Sequence, residues 1–299
     1  MNRLAVNFAG VALKNPVVAA SGTFYYGKEY AEFFDVNRLG AIALKGITCK
    51  PKAGNTGIRI WETASGMLNS IGLENPGVEE FVRNYDCYTE ALTTARIVNL
   101  GSDTLEEYVY AAERLNELSI ELLELNISCP NVRSGGMAFG VDCDMAYEVT
   151  KAVRKVSRHK LIVKLSPNVT DIVAIARRCE EAGADGLSLI NTVLGMAVDI
   201  KEKRAVFDNV YAGLSGAAIK PIALRMVHQV CKSVSIPVMG VGGIYTAEDA
   251  LAFLMAGAAC VQVGTANFIE PGRSLKIIQR LEKYCEEEDI HIGELIGVV

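Results

Sequence analysis

Eight short apolar, β-rich runs recur along the chain: "PVVAASG", "AIALKGI", "RIVNLGS", "LLELNIS", "LIVKLS", "GLSLINT", "PVMGVGG" and "CVQVGTA". Amphipathic stretches follow them, among them 103 to 118, 142 to 157, 170 to 183, 216 to 233, 246 to 257 and 272 to 286, and several open on Asp, Ser or Thr in the manner of an N-cap. Strands that alternate with helices form a parallel sheet, because a parallel neighbour is reached only by a long crossover. Eight such units close into a (β/α)8 TIM barrel. A doubly wound open sheet is the alternative, but it rarely needs eight evenly spaced units. The 299 residues suit one barrel domain over 1–299, since closed α/β barrels of ~250 residues fold as a single domain.

The N-terminal stretch "MNRLAVNFAGVALKNPVVAASG" reads as two short strands entering that domain, because Lys14, Asn15 and Pro16 interrupt any signal-peptide core. Residues 250 to 269 carry no charge over a length that could span a membrane. Gly257, Gln262, Gly264, Thr265 and Asn267 divide them into a helical "ALAFLMAGA" and a strand-like "CVQVGTA", so a buried helix and strand are expected and the chain reads as cytoplasmic. A net charge of −5, with no basic stripe, argues against a nucleic-acid partner. The run "KEKR" at 201 to 204 is mixed in sign and reads as a solvated loop. The eight cysteines contain no C-x-x-C and no close cluster, so neither a zinc site nor an iron–sulfur cluster is expected in this chain.

Polar residues sit at or just past the C-terminal end of each run: Ser21 and Gly22, Lys45 and Gly46, Asn99, Asn126, Lys164, Asn191 and Thr192, Gly242 and Gly243, Gly264 and Thr265. In a barrel those ends form one face, and barrel enzymes keep their sites there. Two segments exceed ordinary βα connections, roughly 48 to 75 and 193 to 215, and are candidate lids or partner surfaces.

Lys45 and Lys164 lie within apolar runs, where an ammonium is costly unless something anionic pairs with it. Each lysine alone could snorkel to the rim or meet an internal carboxylate, whereas two of them favour a ligand-facing role. "GVGGI" and "VQVGTA" end the seventh and eighth runs with Gly-Gly and Gly-Thr, the recurring phosphate position of barrels, although Gly-Gly also suits a tight turn. Asn69, Asn126, Asn131 and Asn191 offer flat amides suited to a planar ligand with amide edges, such as a pyrimidine. Cys129, in "NISCPN", is a buried small hydrophobe in one reading and a base or nucleophile in the other. His159, His228 and His291 fall in helix or tail contexts, which disfavours a Cys-His hydrolase.

The motifs "NPVVAASGTF", "LKGIT", "GMLNSIGLENPG", "LNISCPN", "IVKLSPN", "INT", "GLSGAAIKPIALRMV", "VMGVGGI" and "VQVGTA" together span essentially the whole chain. On them the sequence resembles the class 1 dihydroorotate dehydrogenases, and within that class the B-type catalytic subunits. The resemblance implies an FMN-containing barrel that oxidises dihydroorotate to orotate in pyrimidine biosynthesis. Cys129 would be the base that removes the C5 proton while the C6 hydride passes to flavin N5. Lys45 would contact both flavin and substrate, and Lys164 would stabilise negative charge on the reduced ring. Asn69, Ser70, Ile71, Gly72, Leu73, Asn126, Asn131, Asn191 and Thr192 would hold the pyrimidine. FMN would meet Ser21, Lys45, Gly46, Asn99, Asn126, Lys164, Ile190, Gly216, Gly242, Gly243, Gly264 and Thr265. One departure is Ala217, where the pattern "GLSGPAIKP" has proline.

Within the family the A-type is a homodimer that passes electrons to fumarate, whereas the B-type adds a subunit carrying FAD and a 2Fe-2S cluster that reduces NAD. "NSIGLENPG" leans toward the B-type, so a homodimeric core with such a partner is the implied assembly. Other readings are a different FMN enzyme acting on dihydropyrimidines, a tRNA-dihydrouridine synthase, a lyase using Lys164 as a Schiff-base nucleophile and a flavin-binding scaffold without turnover. The acidic balance weighs against the RNA enzyme.

Overall fold

The computed structural model describes residues 2–128 and 139–299. An antiparallel hairpin, β1 (Val6–Phe8) and β2 (Val11–Leu13), opens the chain as the sequence suggests. Eight parallel strands then close a barrel in the order β3 (Val17–Ala19), β4 (Ala41–Ala43), β7 (Ala95–Leu100), β8 (Leu122–Asn126), β9 (Lys160–Lys164), β10 (Gly186–Leu189), β15 (Val238–Val241) and β16 (Cys260–Val263), with β16 returning to β3. Every one of the eight apolar runs supplies one strand, and the open-sheet alternative is excluded by the closure.

Helices cover the outside: α2 (Val78–Thr89), α3 (Leu105–Leu115), α4 (Cys143–Val156), α5 (Ile172–Glu181), α6 (Lys220–Cys231), α7 (Ala247–Met255) and α9 (Arg273–Glu287), with single turns α1 (Ser21–Phe24) and α8 (Ala266–Ile269) beside the first and last strands. Four starts are fixed by side chains: Thr104, Asp142, Asp171 and Thr246 each accept from backbone amides of the first turn. Such a cap stabilises a helix by about 1 kcal/mol. The stretch 216 to 233 becomes helical only from Lys220, because β14 (Tyr211–Ser215) and a 3-10 turn at Ala217–Ile219 precede it and Pro221 sits in the first turn. Helix α2 is an addition to the sequence reading: it starts at Gly77 with no side-chain cap, and its buried face is Val78, Phe81, Tyr85 and Thr89.

Alternation along each strand divides the core. Val17, Ile42, Val98, Leu123, Leu161, Leu187 and Val261 point outward into one apolar layer with the helix residues Val149, Ile175, Val227, Phe253 and Ile277. Val18, Ala41, Ile97, Leu122, Ile162, Met239 and Cys260 point into the barrel, where Phe8 and Leu13 of the hairpin close the floor. Burial on both faces is why the strands read as continuous apolar runs. No helix among the described residues is long and apolar enough to cross a membrane, and the uncharged stretch 250 to 269 divides into α7, β16 and α8.

The two long segments are not structureless. β5 (Ile60–Thr63) and β6 (Gly66–Asn69) come from the first, β11 (Val193–Met196) and β14 from the second, and they form one antiparallel sheet in the order β11-β14-β6-β5. A smaller hairpin, β12 (Val198–Asp199) and β13 (Arg204–Ala205), has the "KEKR" run at its turn. The sheet stands at the C-terminal face and is anchored by its own small core of Leu68, Val206, Phe207 and Ala212.

Candidate active site

A cavity of about 850 Å³ lies between the C-terminal strand ends and the added sheet. Its walls come from both: Ser21, Gly46, Asn99, Asn126, Lys164, Ile190, Gly242, Gly243, Gly264 and Thr265 from the barrel, Asn69, Ser70, Ile71, Gly72 and Leu73 from the first long segment, and Gly216 directly after the second. Lys45, Asn191 and Thr192 also line it. The structure therefore gathers into one cavity every anticipated site residue except Cys129 and Asn131, which lie outside the described residues.

Period two explains how the polar wall arises. Asn99, Glu124, Asn126, Lys164, Ser188 and Gln262 share the inward face of their strands with Ile97, Leu122, Ile162 and Cys260, but nearer the C-terminal ends. Lys164 is 6% exposed, and its ammonium stands 3.7 Å from the Glu124 carboxylate and 3.5 Å from Gln262 Oε1. Asn126 donates to Asn99 Oδ1 at 3.4 Å and accepts from Ser128 Oγ at 2.7 Å, and Asn191 donates to the same hydroxyl. These amides hold one another in fixed orientations before any ligand arrives.

Lys45 follows β4 and is half-buried; its amide donates to Tyr25 O. Burial pushes its ammonium below the ordinary lysine value against the pull of the Glu74 carboxylate, and the Arg59 guanidinium adds to the lowering. Arg59 is itself engaged by Glu74 in an ion pair. A desolvated ammonium of this kind gains from an anionic ligand more than a hydrated one does.

The segment 69 to 73 is held from several sides. Asn55 and Asn209 both donate to Ser70 Oγ, at 2.9 and 3.2 Å. Gly72 has φ +78°, and a Cβ there would meet the Asn55 side chain and amide at 2.5 to 2.6 Å, so glycine is required. At the opposite wall, Gly242 and Gly243 have φ +132° and +71°. The loop after them is fixed by Asp249, whose carboxylate accepts from Tyr245 N and Thr246 N and pairs with Lys220. Burial alone would raise this carboxyl, but the Lys220 ammonium and the two amides hold it below the usual range.

The sequence model of the family described as dihydroorotate dehydrogenase matches residues 3–285. The chain belongs to the dihydroorotate dehydrogenase family. Relatives named dihydroorotate dehydrogenase B (NAD(+)), catalytic subunit, are similar nearly end to end. The one from Petrotoga mobilis is 50% identical over 295 residues, covering 98% of each chain. That from Desulforamulus reducens is 54% identical over 296 residues, covering 98% of this chain and 97% of its own. That from Alkaliphilus metalliredigens is 53% identical over 287 residues, covering 96% and 95%.

Against the pattern of dihydroorotate dehydrogenases, Ala217 begins the 3-10 turn after Gly216, and the next amide, Ala218 N, donates to Ser65 O of the β5–β6 hairpin. That bond ties the turn to the added sheet without a proline. The histidines stand apart from the cavity: His228 lies in α6, His291 caps the 3-10 turn at Ile292–Leu295, and His159 lies in the loop between α4 and β9, not in a helix, with Nε2 3.0 Å from Leu115 O. Sequence reasoning missed Glu124, Ser188 and Gln262. Each is a polar residue inside an apolar strand and in phase with an inward neighbour, Glu124 two places before Asn126, and that phase was the available signal.

Proposed function

We propose that the chain oxidises dihydroorotate to orotate with FMN, as the catalytic subunit of a dihydroorotate dehydrogenase of the NAD-linked type, serving pyrimidine (UMP) biosynthesis. The observation that carries it is the convergence of Lys45, Lys164 and the amides of Asn69, Asn99, Asn126 and Asn191 on one cavity, opposite the glycine ends of β15 and β16, in a member of this family. The chain reads as one domain, 1–299, working in the cytoplasm.

The residues fit FMN. Among the described residues, the amides of Gly243, Gly264 and Thr265 donate to no acceptor of the chain, which suits a phosphate group. Gly22 has open space where a Cβ would stand, and Ser21, Gly46, Ile190 and Gly216 line the same cavity as the two lysines. Bound FMN supplies a two-electron acceptor. Lys164 holds a cation where that acceptor gains charge, Lys45 offers its ammonium to cofactor and substrate together, and Asn69 with Ser70, Ile71, Gly72, Leu73, Asn126, Asn131, Asn191 and Thr192 orients the pyrimidine ring. Cys129 takes the C5 proton. The added sheet excludes water from the reacting atoms.

The name catalytic subunit carried by the relatives supports a second subunit. We assign to that subunit the FAD and the 2Fe-2S cluster, and to two copies of this chain a homodimeric core.

An anaerobic visible spectrum of the FMN-loaded protein, recorded before and after dihydroorotate is added, tests the half-reaction. Bleaching of the flavin is expected. A flavin that stays oxidised would transfer the choice to another dihydropyrimidine or to an inert scaffold, and a chain that takes up no FMN would end the oxidoreductase assignment.

A further inference from the structure

Glu124 is fully buried at the centre of the barrel, one inward position below the cavity floor. Its carboxylate accepts from Ser188 Oγ at 2.7 Å, from Gln262 Nε2 at 2.8 Å and from Asn99 Nδ2 at 2.5 Å, and it stands 3.7 Å from Lys164 Nζ. Three neutral donors from three strands have no packing need for an ionised acceptor; apolar side chains would fill the same layer, as they do one layer below. Their common effect is to hold a negative charge at one point. Gln262 then turns its other end, Oε1, to the lysine at 3.5 Å, so the ammonium is flanked by a carboxylate and a carbonyl that are themselves fixed.

We propose that Glu124 is a positioning residue for Lys164: it sets where the ammonium stands and offsets part of its charge, and thereby limits how strongly the site favours negative charge on the bound flavin. The inference rests on the FMN reading above. A lone lysine against the ring would stabilise the charged ring fully; a lysine with a buried counter-charge stabilises it partially, because the carboxylate's opposite field reaches the ring through the same low-dielectric interior.

Sulfite tests this without turnover, since it adds its electron pair to oxidised flavin and leaves the ring anionic, with loss of visible absorbance. Dissociation constants are measured on the FMN-loaded protein and on Glu124→Gln, Lys164→Met and the double variant. Glu124→Gln is expected to bind sulfite on the order of tenfold more tightly, the size of effect a neighbouring charge has in a partly screened interior. In the Lys164→Met background the same substitution is expected to change it by a clearly smaller factor, since only the direct field of the carboxylate remains, and the difference between the two factors is the coupling through the lysine. Should Glu124→Gln lose its flavin or its fold, Glu124→Asp keeps an acceptor for the donors but draws the charge back by one methylene. It is expected to shift sulfite binding in the same direction by a smaller factor. An unchanged sulfite constant in the folded variant, or an equal shift with and without Lys164, overturns the inference while leaving the FMN reading intact. A wild-type protein that takes up no FMN overturns both.

Discussion

Asn69 donates its side-chain amide to the carbonyl of Gly213 at 3.2 Å, across 144 positions of sequence. The bond sits where β6 and β14 pair, with Asn69 opposite Gly213 in register. The two long segments thus meet directly over the strand ends, and the residue that joins them is also one that faces the cavity.

Gly213 tolerates no side chain there. A Cβ would lie 2.2 Å from Thr192 Oγ1 and 2.7 Å from Thr192 Cβ, too close for a rotamer change to relieve. Gly213→Ala therefore forces β14 away from Thr192 and loosens the bond to Asn69. Orotate is expected to bind about tenfold more weakly, roughly 1.4 kcal/mol, as read from the perturbation of the flavin spectrum. FMN content should hold, since the proposed phosphate wall at Gly243, Gly264 and Thr265 belongs to other strands. An unaltered orotate constant would show that the sheet does not shape the substrate end.

Lys45 sets a pH dependence with a definite sign. Its folded pKa is lowered chiefly by burial, so the buried charge costs stability at lower pH and the cost is relieved as pH rises through the folded value. An anionic ligand reverses the balance and draws the proton back. Orotate affinity is therefore expected to be strongest below the Lys45 pKa and to weaken as pH climbs through it, at a pH below the ordinary lysine value. Lys45→Met should flatten that limb and weaken binding at neutral pH. Titrating orotate at several pH values gives the answer; the same limb in Lys45→Met would assign it to another group.

The barrel was legible because its strands are buried on both faces, which makes them continuous apolar runs, and because Asp142, Asp171 and Thr246 mark helix starts in the sequence. The added sheet was not. Its strands are short and partly exposed, with Ile60 to Thr63 exposed throughout, so no run of buried residues announces them. The pairing that makes them a sheet is between segments far apart in the chain. Glu124 escaped for a different reason: a carboxylate in an apolar strand has no meaning until Ser188, Gln262 and Asn99 of other strands are seen to surround it.

The proposed proton transfer assigns the base to Cys129. Cys129→Ala should retain FMN with an unchanged visible spectrum, because the resemblance places the thiol on the substrate. Loss of a positioned base slows a reaction by about 10²- to 10⁴-fold, so reduction of the flavin by dihydroorotate, followed by anaerobic stopped-flow, should slow by that order. Reduction at the wild-type rate would remove the thiol from the mechanism.

Phe8 tests the opposite end of the barrel. It is fully buried and packs with Leu13 against Ile97, Leu122, Ile162 and Met239, sealing the floor from below. Phe8→Ala leaves a void that the surrounding strands cannot close without breaking barrel register, and such truncations cost about 3–5 kcal/mol. Thermal unfolding of the FMN-loaded protein should move down accordingly. The cavity lies beyond the polar layer of Asn99, Glu124 and Lys164, which has its own hydrogen bonds and ion pair. At temperatures well below the transition the flavin spectrum and the rate of flavin reduction are therefore expected to match wild type. A variant that melts early and also loses FMN in the cold would mean that the floor and the site do not separate, and that the hairpin positions the strand ends as well as closing the barrel.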